Sequence, residues 1–111
     1  MGKDTNYQPL TESSYLILLA LLSEGHGYGI MQYVENMSRG RVKLGPGTLY
    51  GGLKSMMKKG WIEELEGDNS RRRCYRLTQE GTARLKAEVK RLEELVDLGK
   101  KTSPLLLEGG E

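Results

Sequence analysis

The segment Gly45-Pro46-Gly47-Thr48-Leu49-Tyr50-Gly51-Gly52-Leu53-Lys54-Ser55-Met56-Met57-Lys58 carries two patterns at once. Leu49, Leu53, Met56 and Met57 fall at i, i+4, i+7 and i+8, the spacing of one apolar helix face. A helix is therefore predicted from Gly47 or Thr48 onward, after the sharp Gly-Pro-Gly corner. At 100° per residue the opposite face collects Gly47, Thr48, Gly51, Lys54, Ser55 and Lys58. That face is short-chained at its start and cationic further along, with no carboxylate from Gly45 to Ile62. Gly51 and Gly52 each weaken a helix by about 1 kcal/mol relative to alanine. Such a choice has two physical explanations: another body approaches closely, or the fold packs tightly there.

Upstream, Thr11 suits an N-cap and Glu12 the positive first turn of a first helix. The run from Tyr15 to Leu22 is apolar on every side, as in a helix buried on several faces, one of them against a second subunit. Three glycines in Gly25-His26-Gly27-Tyr28-Gly29 predict a turn. A second helix is expected from about Gly29 to Met37, with Ile30, Tyr33, Val34 and Met37 as its buried stripe. Arg41 to Leu44 is short enough for a small strand or an extended link.

Downstream, residues 61–66 and 71–77 read as two strands joined by the turn-forming Gly67-Asp68-Asn69-Ser70. Thr78 would cap a final helix from Gln79 to Leu98, about 30 Å long. On it Leu85, Val89, Leu92 and Val96 repeat at 4, 3, 4, the seam of a coiled coil, widened by Leu95 and Leu98. These elements predict a mainly α fold with a small β-hairpin. It consists of a winged helix-turn-helix domain over residues 10–77 and a C-terminal dimerisation helix over 78–98, with flexible tails at 1–9 and 99–111.

Composition bounds the function. At 111 residues the chain fits one domain of ordinary size. Its longest apolar run, from Tyr15 to Leu22, is far short of the roughly 20 residues of a membrane span. No hydrophobic leader marks export, and a single cysteine fits a reducing cytoplasm. Residues 39–76 hold ten Lys and Arg against four acids, a net +6, while residues 1–38 carry −3 and residues 77–111 carry −1. The positive surplus in the middle third is the footprint expected for a polyanion such as double-stranded DNA. No nucleophile–base pair, phosphate-cradling glycine motif or metal-ligand cluster is present, so neither an enzyme, nor a cofactor, nor a metal is expected.

Three motifs then resemble the PadR family of bacterial transcriptional regulators. They are Leu-Leu-Ala-Leu-Leu through Gly-His-Gly-Tyr-Gly-Ile at 18–30, Val-Lys-Leu-Gly-Pro-Gly-Thr-Leu-Tyr-Gly-Gly-Leu-Lys at 42–54, and Arg-Arg-Arg-Cys-Tyr-Arg-Leu-Thr-Gln-Glu-Gly at 71–81. The resemblance covers residues 10 to 96, with the motifs in order. It implies a homodimeric DNA-binding repressor whose recognition helix opens at Gly45–Tyr50 and whose arginine-rich wing lies at Arg71–Arg73. Some short relatives bind flat aromatic drugs between subunits beside a tryptophan of the last helix. Leu92 occupies the matching position here, which puts such a stacking pocket in doubt.

The DNA-binding candidates are Lys43, Gly47, Thr48, Tyr50, Gly51, Lys54, Ser55 and Lys58, with Arg71, Arg72 and Arg73 on the wing. Lysines and guanidinium forks suit phosphates, and hydroxyls suit phosphates or base edges. Tyr50, at the helix rim, could equally pack inside. An arginine of the wing could instead pair with Glu63, Glu64 or Glu66. The dimerisation candidates are Leu16, Leu19, Leu85, Val89, Leu92, Leu95 and Val96. An alternative function is a ligand sensor whose inter-subunit pocket, with Tyr15, Trp61 and Leu92 as its candidate residues, captures a small aromatic effector, with DNA release as the readout. Tyr15 and Tyr28 read as core or interface residues, Trp61 as packing, His26 as a local hydrogen-bonding group and Cys74 as a small strand residue.

Overall fold

The structure is a computed structural model that describes residues 8–66 and 73–102. Helix α1 (Glu12–Ala20) starts where expected, with the Thr11 hydroxyl accepting from the Ser14 amide at 3.0 Å. Strand β1 (Gly25–His26) and helix α2 (Gly27–Met37) follow, then α3 (Pro46–Lys58), β2 (Ile62–Leu65), β3 (Cys74–Leu77) and α4 (Gln79–Thr102). The sheet is antiparallel in the order β1-β3-β2, with His26 opposite Cys74 and Glu64 opposite Tyr75. Leu18, Leu21, Ile30, Val34, Leu49 and Leu53 fill the core between the first three helices. Ile62 and Tyr75 close it from the sheet, and Leu85 from α4.

Several boundaries differ from the sequence expectation. Gly25-His26 is a short strand rather than a turn, because the free edge of β3 accepts it. The His26 imidazole then caps α2, its Nδ1 accepting from the Gly29 amide at 3.4 Å, so the helix starts two residues early. Residues 41–44 form an extended link and not a strand: the buried Ser38 hydroxyl takes the Val42 amide at 2.9 Å, away from any ladder. Met37 is 59% exposed and leaves the α2 stripe to Ile30, Val34 and half-buried Tyr33. Helix α3 begins at Pro46, whose fixed φ suits a first helical position.

The junction of wing and last helix is tightly fixed. The Thr78 hydroxyl donates to the Gly60 carbonyl at 2.6 Å and accepts from the Gly81 amide at 3.0 Å, while the Thr78 amide donates to the Trp61 carbonyl at 2.9 Å. A Cβ on Gly81 would collide with that Trp61 carbonyl, which is backbone and has nowhere to go. Gly81→Ala is therefore expected to destabilise the fold by about 1–3 kcal/mol despite alanine's better helix propensity, visible as a lower melting temperature.

A buried ionic cluster fastens the segment before α1 to α4. Glu88 is 2% exposed and Arg84 3%. Glu88 accepts from Arg91 at 2.6 and 3.1 Å and from the Leu10 amide at 3.1 Å, and lies 3.5 Å from Arg84. Arg84 also donates to the Gln8 carbonyl. Residues 8 and 9, expected within a flexible tail, are thus attached at Gln8. Helix α4 runs four residues beyond the expected Leu98, as Lys100 and Lys101 suit the negative end of its dipole.

Candidate nucleic-acid interface

Every side of α3 has a clear assignment. Leu49, Leu53 and Met56 are buried and Met57 is half-buried, whereas Gly47, Thr48, Gly51, Lys54, Ser55 and Lys58 are all exposed on one face. The two explanations for the weakening glycines now separate. A Cβ added at Gly47 or Gly51 would meet nothing within 4 Å, and one at Gly52 would make only an ordinary contact, 3.8 Å from Ile17 Cδ1. Internal packing requires neither Gly47 nor Gly51. Lys43 is exposed on the link that leads into this face.

Tyr50 does both things expected of a rim residue. It is 47% exposed, yet its hydroxyl lies over Gly27 so closely that a Cβ there would collide with it. The contact joins the first turns of α3 and α2 into one surface. Tyr28, the next residue of α2, is 63% exposed, so of the two places expected for it, core or interface, it is not in the chain's own core.

The wing divides its charge. Arg73 lies 3.6 Å from Glu64, and Arg76 donates to Glu63 at 2.8 Å, both across β2 and β3. The structural pairing weighed for the arginines thus occurs at Arg73, whose side chain is nonetheless 70% exposed. Arg71 and Arg72 lie outside the described residues, as does the turn at 67–70. Arg41 pairs with Glu12, which neutralises part of the middle-third surplus. Among the described residues, neither Lys54 nor Lys58 of α3 has an ion-pair partner, so their charge stays with the exposed face.

The residues expected at a subunit seam fall into two groups. Leu16 and Leu85 are buried within the chain's own core. Leu19, Val89 and Leu92 are half-buried, and Leu95 and Val96 are 50% and 53% exposed. Leu19, Leu22, Leu85 and Val89 line a groove of about 500 Å³ between α1 and α4. A second groove of about 420 Å³ brings Tyr15 together with Leu92, Val89 and Val96. Trp61 is not there. It borders a separate groove with Pro9, Leu10 and Thr11, its ring 4.9 Å from Lys59 Nζ and 5.4 Å from the Arg84 guanidinium. These cation–π contacts account for its packing role.

Three helices with a sheet-borne wing and a projecting last helix form a winged helix-turn-helix protein. The chain belongs to the PadR-like family of transcriptional regulators, which matches residues 16–87. It is a regulator and not an enzyme. It resembles the crystal structure of a PadR family transcription regulator from hypervirulent Clostridium difficile, with 25% identity, a TM-score of 0.68 and coverage of 82% of this chain and 97% of that one. Bacillus subtilis PadR in complex with operator DNA is similar at 25% identity and a TM-score of 0.58, over 68% of this chain and 45% of that one. A 37.1 kDa transposon protein of Streptomyces fradiae is 34% identical over 77% of this chain, and the matched region spans 24% of that protein. Among the described residues no helix is long and apolar enough to cross a membrane.

Proposed function

We propose that this chain is a cytoplasmic, homodimeric DNA-binding repressor that recognises an inverted-repeat operator. The observation that carries the reading is the outward face of α3. It is acid-free and cationic, and Gly47 and Gly51 on it face open space, which fits close approach by an external body. In a helix-turn-helix protein such a face enters the major groove, where backbone can approach base edges most closely over glycine. The Bacillus subtilis relative bound to operator DNA supports the same use here. Thr48 and Ser55 supply hydroxyls for bases or phosphates, Lys43, Lys54 and Lys58 supply phosphate charge, and exposed Arg73, with Arg71 and Arg72, reaches the backbone from the wing.

The second subunit is assigned to the α1–α4 side. Helix α4 is about 36 Å long and every residue from Glu93 to Thr102 is exposed, so one chain does not cover Leu95, Val96 and Leu98. A copy seated on Leu19, Val89, Leu92, Leu95 and Val96 would do so, and would set two α3 helices in successive major grooves about 34 Å apart. Tyr15 and Leu92 line one groove and Trp61 another, and the proposal assigns no small-molecule effector to either.

The test is the salt dependence of binding to a mixed-sequence duplex. The association constant is expected to fall steeply as salt rises, because lysines that neutralise phosphates release counterions. Lys54→Ala should weaken binding and flatten the log–log slope by about one unit. A wild-type slope near zero would remove the phosphate contacts and the reading with them.

A further inference from the structure

We infer that Tyr28, braced by Gln32, is a phosphate-contacting residue that extends the DNA interface from α3 onto the first turn of α2. The inference rests on the DNA-binding reading and adds a second, uncharged element to it. Tyr28 and Gln32 lie one helical turn apart on α2, both exposed, and the Gln32 side-chain amide donates to the Tyr28 hydroxyl oxygen at 3.3 Å. A phenol that accepts this bond still has its own O–H to donate. In the free chain water takes that O–H; with α3 seated in a groove, the anionic oxygens of a phosphodiester alongside α2 are the acceptors that replace it.

The placement follows from the packing of the two helices. Tyr50 of α3 rests on Gly27, so the first turn of α2 adjoins the N-terminal end of the groove-facing helix. When the second helix of such a pair enters the major groove, the first crosses the sugar-phosphate backbone. The first turn of α2 has no acid, and the first carboxylate along the helix, exposed Glu35, stands two turns beyond Tyr28. A large aromatic residue left 63% exposed beside that edge has its ring free to pack on a sugar and its hydroxyl free to reach the phosphate.

Tyr28→Phe removes the donor alone and keeps the ring. With a mixed-sequence duplex, the variant is expected to bind about tenfold more weakly than wild type at every salt concentration, as when a hydrogen bond to a charged group is removed. The salt slope and the melting temperature should stay at their wild-type values, since a neutral phenol releases no counterion. Gln32→Ala, which removes the brace, should weaken wild type but add no further loss in the Tyr28→Phe background. Wild-type affinity in Tyr28→Phe, or a loss accompanied by a changed slope or a lowered melting temperature, overturns the inference. A wild-type chain that binds no duplex fails earlier and differently, by removing the DNA-binding reading itself.

Discussion

Replacing Glu88 with alanine is expected to destabilise the fold by about 3–5 kcal/mol, because it removes the carboxylate that balances buried Arg84 and half-buried Arg91. A domain of this size has roughly 5–15 kcal/mol in all, so the variant should melt well over 10 °C lower. Glu88 is covered on all sides, with Arg91 held in two hydrogen bonds and the Leu10 amide in a third. The Arg91 hydrogen bonds are the largest influence on the Glu88 carboxyl and lower its pKa. Burial pushes the other way, and the Leu10 amide and both arginines add to the lowering. Since the folded pKa lies below the unfolded one, the stabilisation is complete above the ordinary carboxyl value of about 4.3. It is lost as pH falls through the folded value beneath it. Thermal melts of wild type between neutral pH and about pH 3 should show this acid loss, and Glu88→Gln should show less of it. An unchanged melt for Glu88→Ala would mean that the segment before α1 is not fastened through this carboxylate.

The second large effect separates stability from function at one residue. Gly51→Gln should stabilise the chain by about 0.5–1 kcal/mol, because glutamine is a good helix former and a side chain there meets nothing within 4 Å. A melting temperature several degrees higher is the expected result. The same side chain would stand between α3 and the floor of the major groove. Binding of a specific duplex should therefore weaken on the order of a hundredfold, as much as removing one or two good base-edge hydrogen-bonded pairs. Both changes are read on one preparation, by a thermal melt and a binding titration. Stabilisation with undiminished affinity would show that Gly51 is not near the DNA.

What can be read from the chain alone follows the length scale of the interactions involved. The α3 faces are legible because helical period alone sorts Leu49, Leu53 and Met56 from Gly47, Gly51 and Lys54. Thr11 and Thr78 announce their helices through local capping, which needs only the next three residues. Strand β1 is not legible: two residues have no alternation, and the partner β3 lies about fifty positions away in sequence. Residues 41–44 cannot be resolved between strand and link without the Ser38 hydroxyl that captures Val42.

The sites divide in the same way. Nothing in the spacing distinguishes Glu88 from the solvated acids of α4, although Arg84, Glu88 and Arg91 at i, i+4 and i+7 do mark one stripe beside the apolar seam. Leu16 and Leu85 share the apolar character of Val89 and Leu92, and only packing shows that the first two are used inside the chain. Tyr28 reads as a core or interface residue because a tyrosine ring is usually well covered, and only the packing of α2 shows that its ring stands outside the chain's own core.

Recognition of DNA by paired α3 helices is tested most directly by selecting duplexes from a random pool with the purified chain. The expected product is an inverted repeat whose half-sites are centred about 10 base pairs apart, one turn of the double helix. A pool that shows no enriched sequence, or one enriched for a single unrepeated site, would contradict the account.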